Sequence, residues 1–367
     1  MNNQATPQSK VYRLASLIEK DLRQRGLGAG DPYLTAIEAG SDFGVDQFTA
    51  TRAMSLLAKR GILVRKRGVG TFVGKMEAET ILPALRTLHV LKGPSKDEHR
   101  WSFPIGEIVQ GLHNTMPGYQ VQSNILPSHN PTEMVRQIFE QSSLDGSLAG
   151  MVLLSCPREI QEFVQEQRLP AISFGGVYPN TSDIPSIDLD QFETGRLQAE
   201  YLIHRGHRRI VLLMRDIWRP GDNRLVDGVH KAMADADLGF DSLITRSIPE
   251  EISLIKNEIH RLLFIDDRPT GLICRCWRFA ETAVEVVRSR SMSVPEDLDI
   301  VFNHHDRDVS AQLNLPRTCA KLSCHEQVML VAQTMEKIIN GQQLESKHAA
   351  LPVELVGPEQ RQVSQDR

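Results

Sequence analysis

Residues 61–73 read Gly61-Ile62-Leu63-Val64-Arg65-Lys66-Arg67-Gly68-Val69-Gly70-Thr71-Phe72-Val73. An apolar run, a basic turn and a second β-prone run in this order predict a two-stranded hairpin. Its tip would carry three consecutive cations. A hairpin of this size cannot bury a core by itself, so its partners must lie in the flanking sequence.

They lie upstream. Val11 to Arg25 has apolar residues at Val11, Leu14, Leu17, Ile18 and Leu22, one stripe of a helix. Gly26, Gly28, Gly30 and Pro32 interrupt it. Thr35 to Gly40 reads as a short second helix, and Ser41-Asp42-Phe43-Gly44 as a turn. Asp46 is placed to cap a third helix from Gln47 to Arg60, with Ala50, Ala53, Met54 and Leu57 facing inward. Gly61 ends it. Helix, helix, turn, helix and basic hairpin is the order of a winged helix-turn-helix. A helix fits the major groove of DNA, and a basic hairpin tip lies along phosphates or enters the minor groove. The third helix is expected to expose Gln47, Thr49, Thr51 and Arg52. Gln pairs with adenine, Thr meets a thymine methyl or a phosphate, and Arg favours guanine or phosphate. Thr35, Arg65, Lys66, Arg67 and Gly70 complete the expected DNA-binding set.

This segment resembles the DNA-binding domain of the GntR family. The resemblance rests on Gly30-Asp31, Val45, Ala53, Leu57 and Gly61, and above all on Arg67-Gly68-Val69-Gly70-Thr71-Phe72-Val73. The family usually has Ser-Arg where this chain has Asp46-Gln47, and another Arg at the place of Thr51. It has Leu-Pro-Ser where this chain has Tyr33-Leu34-Thr35. Fewer arginines on the reading face bear on the operator sequence, not on the fold.

Charge supports a division of labour. Residues 1–75 hold 12 Lys/Arg against 6 Asp/Glu, a net +6, while the remainder of the chain is at −10. With 367 residues the chain has length for two or three domains. No apolar run reaches a membrane span, and residues 1–10 are too polar for a secretory leader, so a cytoplasmic protein without a membrane partner is expected. Five cysteines (Cys156, Cys274, Cys276, Cys319, Cys324) are an odd number without zinc-site spacing, and buried thiols are the expectation.

The remaining three-quarters alternates short apolar runs with amphipathic stretches. Strands are expected at 87–92, 119–126, 148–155, 170–174, 208–214, 270–275 and 298–303. Helices are expected at 105–115, 132–141, 158–167, 191–205, 224–237, 251–264, 278–290 and 324–340. The alternation predicts an α/β fold with two parallel sheets in two lobes and a ligand cleft at the carboxyl ends of the strands. The expected organisation is a DNA-binding domain at 1–75, a linker at 76–86, an effector-binding and dimerisation domain at 87–357, and a flexible tail at 358–367.

This region resembles the sensor domain of the LacI/GalR family, which is similar to periplasmic sugar-binding proteins. The carrying residues are Ile187-Asp188, Gly195, Leu202, Gly206-His207-Arg208-Arg209-Ile210, Arg224 to Gly228, Arg268-Pro269-Thr270-Gly271 and Val294-Pro295-Glu296-Asp297-Leu298. The resemblance implies a sugar or related metabolite as effector, held by polar groups and aromatic stacking. It implies an effector-binding arginine three residues before a helix glycine; Arg224 lies four before Gly228, and Leu225 takes the usual place. An Asp usually stands where this chain has Trp277 before Ala280. The following loop is Phe302-Asn303-His304-His305 in place of an acidic one. Losing a carboxylate removes charge-assisted bonds to hydroxyls, while Trp and His favour stacking and neutral or anionic ligands. The expected effector site is Trp101, Phe103, Phe174, Asp188, Arg224, Trp277 and His304. Packing between lobes or in the core is the other reading of Trp101, Phe103 and Trp277, and a solvated helix charge that of Arg224.

No metal is expected, because adjacent histidines on an extended segment point to opposite faces and do not chelate. No nucleophile elbow, P-loop, dinucleotide fingerprint or metalloprotease motif occurs, so neither an enzyme nor a cofactor is expected. The expected protein is a homodimeric regulator that binds double-stranded operator DNA under control of a small-molecule effector. The alternative is a DNA-binding dimer whose sensor is degenerate and unresponsive.

Overall fold

A computed structural model describes residues 7–59, 61–66, 69–74, 86–94, 105–304 and 313–358. Backbone contacts divide the chain into two units. One is Met1–Thr87 with Glu133–Leu148, and the other is Leu88–Thr132 with Ala149–Arg367.

The first unit begins with helix α1 (Pro7–Gln24), the short strand β1 (Pro32–Tyr33), α2 (Ala36–Asp42) and α3 (Gln47–Lys59). Strands β2 (Leu63–Lys66) and β3 (Gly70–Val73) follow. The apolar stripes meet as their spacing dictates: Leu14, Ile18 and Leu22 of α1 pack with Ala50, Ala53, Met54 and Leu57 of α3. The three strands form an antiparallel sheet in the order β1-β3-β2, with Leu63 opposite Val73 and Lys66 opposite Gly70. Strand β1 had no sequence signal, since two residues carry no period. The turn Ser41–Gly44 is shorter than expected because α2 runs on to Asp42.

The second sheet has the order β14-β8-β7-β6-β4-β5. Its strands are β4 (Arg86–Lys92), β5 (Tyr119–Ile125), β6 (Leu148–Leu154), β7 (Ala171–Phe174), β8 (Ser186–Leu189) and β14 (His348–Leu351). Helices α4 (Ile105–Thr115), α5 (Pro131–Asp145) and α6 (Arg158–Glu166) connect them. Helix α11 (Cys324–Ile339) adds Val328, Val331, Ala332 and Met335 to the core of this lobe.

The other lobe is built on the sheet β10-β9-β11-β12-β13-β15. It comprises β9 (Ile210–Arg215), β10 (Leu243–Ile248), β11 (Gly271–Cys274), β12 (Asp299–Asn303), β13 (Arg317–Ala320) and β15 (Val353–Val356). Every pair is parallel except β13 with β15. Helices α7 (Gln191–His204), α8 (Asp222–Asp235), α9 (Ile252–Leu263) and α10 (Trp277–Ser289) cover it. The fold is therefore α/β with two parallel-rich sheets in two lobes.

The chain passes between lobes three times, after β8, after β13 and after β14. The crossings are bonded together: Asp190 N–H donates to the Leu351 carbonyl at 2.9 Å, and Lys321 N–H to that of Pro352 at 2.9 Å. Helices α7 and α8 approach backbone to backbone. A Cβ on Gly195 would stand 2.0 Å from the Leu225 carbonyl oxygen, and one on Gly228 1.9 Å from that of Phe192. Alanine favours a helix interior by about 1 kcal/mol over glycine. The contact reverses that preference, and Gly228→Ala is expected to cost about 1–3 kcal/mol by forcing the helices apart. Urea unfolding of the variant beside the parent checks it.

Candidate functional site

Parallel strands end on the same side, so β9, β11 and β12 deliver Arg215, Arg275 and Asn303 to one edge of their sheet. Arg215 and Arg275 close two wholly apolar runs, Ile210–Met214 and Gly271–Cys274. A charge at the end of a buried strand needs a partner there. That partner is Asp222, fully buried in the first turn of α8. Arg215 Nη2 donates to Asp222 Oδ1 at 2.9 Å and Oδ2 at 3.1 Å, and Arg275 Nε donates to Oδ1 at 2.6 Å. The Arg219 N–H donates to Oδ2 at 2.8 Å. Burial opposes the charged form of Asp222, but Arg275 and Arg215 outweigh it and hold its pKa below the usual value.

The network reaches the strand that leads out of the other lobe. Arg275 Nη2 donates to Gln191 Oε1 at 3.3 Å, and Gln191 Nε2 donates to Asp188 Oδ1 at 3.3 Å. The Leu189 N–H also donates to Asp188 Oδ1, at 2.8 Å. Burial pushes the Asp188 carboxyl up to about 6, against the Leu189 N–H and the charge of Arg275. The loops approach here too: a Cβ on Gly176 would lie 2.7 Å from Pro220 Cβ and 3.1 Å from Asp188 Oδ2. Lys92, at the end of β4, is buried, and burial lowers its pKa to about 7.

Beside this polar edge stands an aromatic group. Trp277 meets Phe302 at 5.6 Å between ring centroids and His304 at 5.8 Å, both edge-on. The indole N–H of Trp277 is buried and makes no hydrogen bond among the described residues. Phe302 and His304 are both buried.

The expected effector residues separate into groups. Asp188 lies in the polar network, and Trp277 and His304 share the aromatic cluster. Phe174 is buried in the core of the β4–β8 lobe. Arg224 is exposed on α8, its guanidinium 5.1 Å from the centroid of Phe192 and 3.8 Å from Asp227. Leu225, in the position usual for the arginine, is fully buried. Trp101 and Phe103 lie outside the described residues, as does His305. Arg215, Arg219, Asp222, Arg275 and Gln191 escaped the sequence reading. The legible signal was a lone charge closing each apolar strand.

In the first unit Gln47 and Arg52 are exposed on α3, with Arg52 5.6 Å from the ring centroid of an exposed Phe48. Thr51 is half-buried. Thr49 corrects the expectation of an exposed residue: it is buried, and its hydroxyl donates to Asp46 Oδ2 at 2.7 Å. Position 49 lies one helical turn before Ala53 on the inner stripe, so capping and packing hold it together. Thr35 caps α2 in a capping box with Glu38. Arg65 is exposed and donates to Ser55 Oγ at 3.3 Å, and Lys66 lies 5.2 Å from the ring centroid of Phe72. Gly70 opens β3 at φ 139°. Arg67 is outside the described residues.

None of the five cysteines is paired in a disulfide. Among the described residues no three His, Cys, Asp or Glu side chains gather to hold a metal, and no helix is long and apolar enough to cross a membrane.

Residues 199–357 match the family model of a periplasmic binding protein-like domain. The chain is similar to the arabinose metabolism transcriptional repressor of Halalkalibacterium halodurans, 24% identical over 72% of each chain. A regulatory protein of the LacI family from Chloroflexus aggregans superposes with a TM-score of 0.62 at 21% identity, covering 74% of this chain and 97% of that one. The complex of the transcriptional regulator CelR with cellobiose superposes at 0.63 with 16% identity, over 89% and 99% of the two chains. These solved structures share the two-lobed fold.

The raised pKa of Asp188 fixes a stability trend. Folding favours its protonated form, so stability is lost as pH rises through about 6 and the carboxylate ionises. Asp188→Asn is therefore expected to melt higher than the parent at pH 8, with the gap narrowing to roughly half at pH 5. Melting temperatures at the two pH values test this, and a gap that is equal at both contradicts it.

Proposed function

We propose that this chain is a transcription repressor, with a GntR-type winged helix-turn-helix that binds operator DNA and a LacI-type sensor that holds a small-molecule effector between its lobes. The observation that carries the reading is the polar network of Asp222, Arg215, Arg275, Gln191 and Asp188, which lines the edges where the two lobes meet. Polar groups converging at strand ends of a two-lobed α/β domain are the usual make-up of a small-molecule site. The relatives are named as repressors, and one solved relative holds a disaccharide, which supports the same reading. The protein acts in the cytoplasm as a homodimer, because a two-fold DNA site is matched by two copies of one reading head. It binds rather than catalyses.

In this reading the reading head spans 1–75, a linker 76–86, the sensor 87–357 and a tail 358–367. Gln47, Thr51 and Arg52 of α3 face the base edges, and Arg65, Lys66, Arg67 and Gly70 follow the phosphates. Thr35 stands at the phosphate end of α2, and Thr49 acts by holding the helix start. The sensor draws on Asp188, Trp277 and His304, with Trp101, Phe103, Phe174 and Arg224 as further candidates. Effector and operator are coupled through the difference in their affinities for two states of the protein, and the coupling is reciprocal.

A second reading is favoured by the aromatic cluster. Trp277, Phe302 and His304 fill one end of the sheet, and Leu225 is buried where an effector arginine is usual. A sensor so filled would dimerise and answer no ligand. Thermal shift against sugars, sugar acids, nucleosides and polyols separates the two readings. The sensor reading predicts stabilisation rising with ligand as RT ln(1 + [L]/Kd) for one compound class. No shift by any class, with DNA binding intact, gives the second reading.

The wing makes its own prediction. With Arg65 and Lys66 both changed to Ala, affinity for DNA should fall and the salt dependence of log K should flatten by about 2, roughly 0.9 per lost phosphate contact. An unchanged slope in titrations at several salt concentrations rules out the wing as the phosphate contact.

A further inference from the structure

Helix α3 is held in one orientation from its first turn. The Thr49 N–H donates to Asp46 Oδ1 at 2.8 Å and the Thr49 hydroxyl to Oδ2 at 2.7 Å. Thr49, Ala50, Ala53, Met54 and Leu57 are buried and form the inner stripe. At about 3.6 residues per turn, that stripe leaves position 48 in the middle of the opposite face, with positions 52 and 55 following it along the helix.

The residue in the middle of that outer face is Phe48, 71% exposed. Single apolar residues are ordinary on a protein surface, and what sets this one apart is its company. The guanidinium of Arg52 stands 5.6 Å from the ring centroid. Arg65 of β2 reaches the same face, where it donates to Ser55 Oγ at 3.3 Å. Gln47 is exposed at the preceding position. Residues 1–75 carry a net charge of +6. An apolar ring on a face that also carries two cations suits a polyanion that offers an apolar spot. A wholly apolar partner would strip water from the cations and give nothing back.

The major groove of DNA is such a surface. Phosphates line its walls, and the C5 methyl of thymine is the apolar group that its base edges present. The ring of Phe48 has neither donor nor acceptor, so it cannot answer the hydrogen-bonding edges of guanine, adenine or cytosine. It can gain from a methyl by excluding water around both.

We propose that Phe48 reads thymine, its ring packing on a thymine C5 methyl in the major groove from the face it shares with Arg52. This rests on the reading of the first unit as a winged helix that binds operator DNA. It adds an apolar determinant to Gln47, Thr51 and Arg52, which read by polar contacts.

Replacing thymine by uracil tests the proposal, because it removes the methyl and leaves every hydrogen-bonding group in place. An operator duplex is selected from random sequence with the full-length protein, and each thymine is replaced in turn. The expected result is at least one thymine at which uracil weakens binding roughly fourfold, the worth of burying one methyl-sized group. Phe48→Ala should bind the thymine and uracil forms of that site equally, and Phe48→Leu should keep part of the difference. The four affinities for parent and Phe48→Ala form a cycle that isolates the contact between ring and methyl. A parent indifferent to every uracil overturns the assignment and leaves the DNA-binding reading standing. So does a preference for thymine that survives in Phe48→Ala. A ring that served only to steady Arg52 would give the first of these, with affinity lowered in Phe48→Ala and no dependence on the methyl. If no duplex can be selected, the assignment and the DNA-binding reading fall together.

Discussion

One buried carboxylate organises the two-lobed domain. Asp222 carries a full charge at a place closed to water, and such a charge is tolerated only when its partners are fixed in place. Arg215 and Arg275 are those partners; Arg215 is the last residue of β9, and Arg275 directly follows β11 in the same sheet. The ion triad therefore sets where β9, β11 and the first turn of α8 meet. Removing Asp222 would leave two guanidinium groups buried against each other. Removing one arginine would leave the carboxylate half-answered. Neither alternative has a cheap repair, so the edge of the sheet has little freedom to rearrange.

That rigidity has a use because the network does not stop at the triad. Gln191 carries it to Asp188, which sits on the strand just before the chain leaves the other lobe. The lobes are thus joined by three chain crossings bonded to one another and by one chain of side-chain hydrogen bonds. Crossings of this kind let one lobe turn against the other without unfolding either, as in hinge closure around a ligand. The close approaches of Gly195 to the Leu225 carbonyl and of Gly228 to the Phe192 carbonyl keep α7 tight on α8. A ligand that touches both lobes can shift the balance between open and closed forms, by no more than its difference in affinity for them.

Much of this architecture was legible in the sequence. Long apolar stripes such as Leu14, Ile18 and Leu22 announced their helices, and apolar runs such as 148–155 and 208–214 announced their strands. Strands β8, β10, β13, β14 and β15 were not seen. Ser186–Leu189 and His348–Leu351 are too short and too mixed to show a period, and β10 lies half-buried at a sheet edge, where selection for apolar residues is weak. The site was only partly legible. Asp188, Trp277 and His304 were found by position in a pattern, but pattern also pointed to Arg224, which packs on Phe192 away from the network. The arginines at the ends of β9 and β11 belong to no spacing rule. What marks them is physical, a charge at the end of an otherwise apolar strand. Thr49 shows the same limit at small scale, because the N-terminal turn of a helix has an inner side that a list of polar residues does not reveal.

The most direct test of a ligand-controlled DNA switch is operator affinity with and without effector. An operator duplex would be selected from random sequence with the full-length protein. Its Kd would then be read by fluorescence anisotropy, alone and with a saturating concentration of whichever compound stabilises the protein. Linkage between the two sites predicts a change of roughly fivefold or more in Kd. An operator Kd that stays the same at saturating compound would contradict the account, because the sensor would then bind a ligand without passing anything to the DNA.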